Sequence, residues 1–241
     1  MAKNQSVDIT IPVYNEESEL AESIVTLRNF LISHLKDYTW TITIADNAST
    51  DKTLLIAQNL SRKYKEVRFV HLDQKGRGRA VKYVWKNATT DYVAYMDVDL
   101  STDLKHLPHI VSALSRGYDV AIGTRNKRES RVYGRSLMRT ITSKGYIFLI
   151  KLFFWVHFSD AQCGFKAVNK KVIRHVLPMV VDNEWFFDTE LLLLCEKLGY
   201  RIYDEPVTWI DNPGSTVRVW KTAQGDLLGL WRLFITRPWR R

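Results

Sequence analysis

The 241 residues carry 35 Lys and Arg against 26 Asp and Glu, a formal net charge of +9, and 46% of them are hydrophobic. That length suits one large domain or two small ones with ample chain for a core. Eight Trp, 11 Tyr and 10 Phe exclude a disordered, collagen-like or low-complexity chain. The polar opening MAKNQS, followed by Pro12, Asn15, Glu16 and Glu17, does not read as a signal peptide. The apolar run 146–158 is interrupted by Lys151 and His157 and is too short to cross a bilayer. Cys163 and Cys195 form no CxxC, so buried reduced thiols are expected rather than a disulfide or zinc site.

In chain order, the β-branched run 7–13 reads as a strand, and Leu20, Ile24, Leu27 and Leu31 then recur at helical spacing. A strand over 39–46 leads through Asn47–Asp51 into a helix with Leu54, Leu55 and Ala57. A third strand spans 67–72, and a helix from Arg79 to about Asn87 follows Gly76 and Gly78. A fourth strand, 90–99, ends in two aspartates; Thr102 or Asp103 can cap the next helix, and 118–124 is the fifth strand. Strand and helix alternating in this way predict a mostly parallel, Rossmann-like sheet flanked by helices. Beyond it, 133–155 reads as one long helix, 159–169 as a turn into a short strand, and 183–199 as a helix closed by Gly199. A strand over 201–210, a loop over 211–216 and an amphipathic helical tail broken at Pro238 complete the chain. No linker appears, so a single α/β domain is expected, its catalytic part over 1–216 and a basic, aromatic segment over 217–241.

Polar clusters fall at the carboxyl ends of the strands, where parallel sheets bind ligands: Tyr14–Glu16, Asp46–Ser49, Lys75–Gly78, Asp97–Asp99 and Thr124–Arg125. Asp97 and Asp99, two residues apart, suit one hard cation such as Mg2+ or Mn2+, although a DxD pair is equally a solvated or capping pair. Neither GxGxxG after the first strand nor a Walker A sequence is present, which argues against a dehydrogenase and a P-loop NTPase. The charge is concentrated. Residues 124–159 hold eight Lys or Arg against Glu129, and 217–241 hold six against Asp226, so the remainder is slightly acidic.

IPVYNEE (11–17), ADNASTDKT (45–53), QKGRGRAV (74–81), YMDVDLSTD (95–103), SDAQCGFKA (159–167) and WFFDTELLLL (185–194) together resemble an inverting family-2 glycosyltransferase of the GT-A fold. Among these, the chain is similar to the dolichyl- and polyprenyl-phosphate sugar synthases. The resemblance implies transfer from a UDP-sugar, with GDP-mannose less favoured, to a polyprenyl monophosphate, giving a β-linked glucose or N-acetylhexosamine such as N-acetylgalactosamine. It implies that Pro12, Val13, Tyr14, Asn15, Glu16, Asp46, Asn47, Lys75, Gly76, Asp97 and Val98 bind the donor, with Asp46 near the base. Gln162 is then a donor-sugar contact, and Asp99, with Asp97, the metal ligand. Asp160 becomes the catalytic or acceptor-orienting carboxylate. Ala161 and Asn47 depart from residues common in that group.

A phosphate acceptor is already ionised and needs little base catalysis, but two anions must be brought together. Arg125, Arg135 and Arg139 suit that task, and Arg135, Arg139 and Ser143 are expected on one helix face. Arg218 is expected over the pyrophosphate, and Asp188 and Glu190 on the acceptor or sugar side, or else on a solvated helix. The basic, aromatic stretches 146–158 and 227–241 read as interfacial, which predicts a peripheral protein on the cytoplasmic face of an anionic membrane. Their alternative is a core helix and a dimer-docking helix. Many members of the group carry C-terminal transmembrane helices absent from this sequence, so a membrane-protein partner using the lipid-linked sugar is expected; nucleic acid is not. Competing readings are a family-2 enzyme elongating a cell-envelope polysaccharide or glycolipid, and a non-catalytic basic membrane-binding protein.

Overall fold

The computed structural model describes residues 5–211 and 219–240. Four strand–helix units come first: β1 (Ser6–Val13), α1 (Leu20–His34), β2 (Thr39–Asn47), α2 (Thr53–Lys63), β3 (Val67–Leu72), α3 (Arg77–Asn87), β4 (Tyr92–Met96) and α4 (Leu107–Ser115). The second half adds β5 (Val120–Thr124), β6 (Arg131–Tyr133), α5 (Leu137–Phe154), β7 (Phe165–Asn169), α6 (Lys170–His175), α7 (Phe187–Lys197), β8 (Ile202–Pro206), β9 (Thr208–Ile210) and α8 (Val219–Thr236).

Seven strands form one sheet in the order β3-β2-β1-β4-β7-β5-β8, and β6 pairs with β9 in a small second sheet. All pairs in the large sheet are parallel except those of β7, which runs antiparallel to β4 and to β5. The chain moves outward from β1 to β2 and β3, then returns to β4 on the other side of β1. The crevice between the ends of β1 and β4 is therefore the switch point at which such sheets bind ligands.

On one face of the sheet, Val7, Ile9 and Ile11 pack with Leu20, Ile24, Leu27, Ile110 and Leu114; on the other, Val93 and Tyr95 pack with Trp85, Leu191, Leu194, Leu230 and Leu233. Each such large side chain contributes roughly 1.5–3 kcal/mol by leaving water. From Phe187 to Cys195 every residue of α7 is buried, so this helix is enclosed all round and its charged residues require partners inside the protein.

The expected helix over 133–155 begins later. Gly134 takes φ +74, and the Ser136 side chain caps the helix by accepting from the Arg139 amide. Arg135 consequently precedes α5, and the expected single helix face shared by Arg135, Arg139 and Ser143 is corrected: Arg139 and Ser143 alone share it. The expected strand over 201–210 splits at Val207, whose end portion pairs with β6. Leu230 and Leu233 of α8 belong to the same core cluster as α7, so this helix is packed onto the domain.

Candidate active site

The first two strand ends are tied to each other. Asn15, at φ +55, accepts from the Thr50 amide through Oδ1 (2.8 Å), and its own amide donates to Ser49 Oγ (3.0 Å). The Glu16 amide donates to Thr53 Oγ1 at 2.8 Å. Pro12 and Val13 end β1 beside Ala45 and Asp46 of β2. Asp46 is fully buried; its Oδ2 meets His71 Nδ1 at 2.5 Å, while Oδ1 has no hydrogen-bond partner among the described residues. The amide oxygen of Asn47 accepts from the Gly76 amide at 2.7 Å and so anchors the third loop, where the Lys75 ammonium lies 3.3 Å from the centre of the Tyr14 ring. At Gly76, φ is +153 and a Cβ would meet the Asn183 carbonyl oxygen at 2.6 Å, so a side chain is excluded there.

Asp97 follows β4, where its amide donates to the Gly164 carbonyl at 3.2 Å. A Cβ on Gly164 would lie 1.8 Å from Asp97 Oδ2, so this glycine lets the 160–164 turn press against the carboxylate. Arg77 bridges Asp97 (2.5 Å) and the buried Asp188 (2.7 Å). Asp188 also receives the Tyr95 hydroxyl and, at 3.0 Å, the ammonium of the buried Lys166. Burial would raise the Asp188 pKa, but Lys166 and Arg77 hold it below the usual carboxylate range. Val98 is buried behind the loop. Asp99 takes the Ser101 amide (3.0 Å) and hydroxyl (2.6 Å), yet burial and then Asp97 push it above its ordinary value. Burial, reinforced by Glu19, Asp99, Asp51 and Asp97, pushes Glu16 up to about 7. These carboxylates are short of positive charge, and their hard oxygens fit a divalent cation such as Mg2+ or Mn2+.

The opposite wall is basic. Arg125 grips Asp160 through Nε (2.8 Å) and Nη2 (3.0 Å), and its amide adds a bond at 3.1 Å; the Gln162 amide supplies another at 3.0 Å. Asp160 is 1% exposed, and although burial would raise its pKa, Arg125 holds it low. It anchors Arg125 and stays ionised near neutrality as a weak base. Two guanidinium groups approach the Trp209 ring, Arg125 at 5.4 Å and Arg135 at 5.7 Å from its centre. Arg139 makes a two-oxygen contact with Asp211 at 2.8 and 2.9 Å. Among the described residues Arg135 has no such partner, its Nε is buried and unbonded, and burial followed by repulsion from Arg125 lowers its pKa. Ser143 is buried one turn beyond Arg139. The two walls adjoin, because the Asp97 charge acts on Arg125.

Gln162 donates through Nε2 to Asp226 of α8 at 2.7 Å. Glu190, expected on the sugar side or in solvent, is instead buried: its Oε1 meets Arg232 Nη2 at 2.8 Å and its Oε2 takes the Asp182 amide at 2.8 Å. Asp188 is likewise internal, one step behind Asp97. Arg218 lies outside the described residues.

Arg77, Lys166, Asp211 and Asp226 belong to this site without having been singled out from sequence. A signal existed for one pair: Lys166 inside the apolar FKAV run and Asp188 inside WFFDTELLLL each require an internal counter-charge. Among the described residues, the three metal-type ligands that gather within 4.8 Å are His106, His109 and Glu205, not the aspartates. That trio is satisfied by hydrogen bonds. His106 Nε2 accepts from the Thr208 amide, so its Nδ1 carries the proton and donates to Glu205 at 3.0 Å.

The profile of glycosyl transferase family 2 matches residues 8–177. Glycosyltransferase AglD of Haloferax volcanii is 31% identical over 98% of this chain, which spans 39% of that protein. The chain therefore covers about two-fifths of that relative's length. The dolichyl-phosphate beta-glucosyltransferase of Drosophila melanogaster is 28% identical over 97% of this chain and 77% of its own. The crystal structure of glucosyl-3-phosphoglycerate synthase from Mycobacterium tuberculosis, which holds Mn2+, UDP-glucose and phosphoglyceric acid, superimposes with a TM-score of 0.72 over 95% of this chain and 80% of that one, at 13% identity. That likeness establishes the GT-A-type fold. With the family profile spanning most of the sheet and every loop of the acidic wall, the chain belongs to glycosyl transferase family 2.

Proposed function

We propose that the protein transfers a sugar, glucose or an N-acetylhexosamine, from a UDP-sugar to a polyprenyl monophosphate with inversion at the anomeric carbon. The observation that carries this reading is the state of Asp160. A hydroxyl acceptor requires a carboxylate free to take its proton, whereas Asp160 has both oxygens engaged by Arg125 and the Gln162 amide. A phosphate acceptor arrives ionised and requires a cation instead, which Arg135 offers beside Trp209. Similarity to dolichyl-phosphate beta-glucosyltransferases supports the acceptor class.

In this reading the nucleoside enters along Pro12–Glu16 and Lys75–Gly76, and the unpartnered Asp46 Oδ1 accepts from the base. Asp99, with Asp97, would hold Mg2+ or Mn2+, whose charge neutralises the departing diphosphate when bound. Gln162 addresses the sugar. Arg135, supported by Arg139 and Ser143, holds the acceptor phosphate, and Arg125 on Asp160 keeps the wall rigid. Attack by a phosphate oxygen on the anomeric carbon expels the nucleoside diphosphate. An α-linked donor gives a β-linked product.

No helix among the described residues is long and apolar enough to cross a membrane. Yet Leu137, Met138, Ile141, Phe148 and Leu152 on α5 and Leu228 and Trp231 on α8 are exposed, and the two helices touch through Phe153 and Phe234, so these apolar side chains gather as interaction surfaces do. With the surrounding Lys and Arg, this face supports docking to the cytoplasmic face of an anionic membrane, where the acceptor phosphate lies.

The acceptor class is tested by offering a panel of radiolabelled nucleotide-sugars with Mn2+ and either a polyprenyl phosphate or the matching polyprenol. Transfer to the phosphate alone is expected. Transfer to the alcohol at a comparable rate would contradict the reading.

A further inference from the structure

Helix α8 has two unlike faces. Outward it exposes Leu227, Leu228, Trp231 and Ile235; inward Leu230 and Leu233 enter the core. Gly229 lies so close to Phe186 that a Cβ would come within 2.3 Å of the ring, which presses the helix onto the start of α7. Two inward polar side chains reach back toward the cleft. Arg232 holds Glu190, and Glu190 holds the Asp182 amide at the foot of the 182–186 loop. That loop in turn receives the Gly78 and Arg79 amides on its Glu184 and Asn183 carbonyls.

The second inward side chain is Asp226, 3% exposed. Its Oδ2 accepts from Gln162 Nε2 at 2.7 Å, and its Oδ1 has no hydrogen-bond partner among the described residues. A buried, half-satisfied carboxylate is a poor choice for packing, since an apolar side chain there would avoid the desolvation cost. Gln162 stands two residues before Gly164, the glycine pressed against the Asp97 carboxylate.

We infer that Asp226 is a positioning residue for the donor sugar: it holds the Gln162 amide by its NH2 group, so that the amide oxygen is left to accept from a sugar hydroxyl beside Asp97. This rests on the reading of the cleft as a nucleotide-sugar site. The chemistry is directional. Burial and then Asp182 raise the Asp226 pKa to about 7, so above that pH its ionised carboxylate accepts and cannot donate, and the side-chain amide turns its nitrogen to Asp226 and its oxygen elsewhere. Without Asp226 the amide is free to rotate and presents either atom. Because Asp226 rides on the helix whose other face is apolar and exposed, α8 cannot shift without releasing Gln162.

The test is calorimetric affinity for UDP and for UDP-glucose, both with Mn2+, in the full chain and in Asp226→Ala, Asp226→Asn, Gln162→Ala and the double alanine variant. Asp226→Ala and Gln162→Ala are each expected to weaken UDP-glucose by about 5–10-fold, the scale of one lost hydrogen bond, while UDP stays within about twofold. The double variant should be no weaker than either single one. Asp226→Asn, whose amide oxygen still accepts from Gln162, should stay close to the parent. Equal losses for UDP and UDP-glucose, additive losses in the double variant, or an Asn variant as weak as the Ala variant would each overturn the proposal. A parent protein that binds neither nucleotide would break the nucleotide-sugar reading itself. A parent that binds both nucleotides, with Gln162→Ala losing no affinity for UDP-glucose, would leave that reading standing and overturn the role of Gln162 and Asp226.

Discussion

The two walls of the cleft handle charge in opposite ways. At the ends of β1 and β4, Glu16, Asp97 and Asp99 crowd together with Arg77 as the cation bonded to Asp97, and burial with mutual repulsion pushes Glu16 up to about 7. On the other wall Arg125 is matched by Asp160 and Arg139 by Asp211, while Arg135 rests against Trp209 without a carboxylate partner among the described residues. The acidic wall is under-compensated and calls for positive charge from outside. The basic wall is nearly balanced and rigid, with one guanidinium in reserve.

The contrast breaks most visibly at Asp99. Asp99→Ala should lower kcat by about 10²–10³-fold at saturating donor, the scale of removing one electrostatic anchor from a transition state. A variant turning over at the parent rate would show that the acidic wall does no chemistry. On the basic wall the largest effect should be on stability. Arg125→Met leaves the buried Asp160 with two backbone amides but no guanidinium, at a cost of about 3–5 kcal/mol, which corresponds to a melting temperature lower by roughly 10 °C. Calorimetric unfolding within a degree or two of the parent would mean the pair is not the strut described.

Arg135→Ala sharpens the comparison further. The acceptor KM should rise about tenfold, as for loss of a charge-assisted contact, with unfolding unchanged. Arg139→Ala should raise it less, since its guanidinium is already spent on Asp211. The reverse order would relocate the reserve cation.

The smallest effect concerns a carboxylate remote from both walls. Asp8 is buried within β1, and desolvation, partly opposed by Thr43 and Arg68, raises its pKa to about 6. Its folded form therefore holds a proton more tightly than its unfolded form. That contribution is fully present below pH about 3.8 and lost as pH rises through about 6. Asp8→Asn should gain about 1–2 kcal/mol over the parent at pH 8 and almost nothing at pH 4. Equal denaturant midpoints at both pH values would contradict this.

The acidic wall was legible because each of its loops follows a β-branched run, and a parallel sheet gathers all such loops on one edge. The loops of Asn15, Asp46, Gly76 and Asp97 are brought together as that pattern requires. The basic wall was legible in composition but not in geometry. Gly134 and the Ser136 cap start α5 at Leu137, which removes Arg135 from the helical face that the four-residue spacing implied. The run FKAVN marks β7 as a strand but carries no sign of its direction, and its antiparallel course is what sets Gly164 against Asp97. Pairings across long separations, Gln162 with Asp226 and Glu190 with Arg232, leave no spacing in the chain to read. The buried Glu190 shows the cost: the sequence allowed it the acceptor or sugar side or a solvated helix, and only the enclosed helix reveals its pairing with Arg232.

The central claim is tested most directly by incubating the full chain with radiolabelled UDP-glucose or UDP-N-acetylhexosamine, Mn2+ and a short polyprenyl phosphate, and extracting the lipid phase. The account predicts label in a lipid product cleaved by mild acid, abolished by a chelator and nearly absent with Asp99→Ala. Label that stays in the aqueous phase with every nucleotide-sugar offered would contradict it.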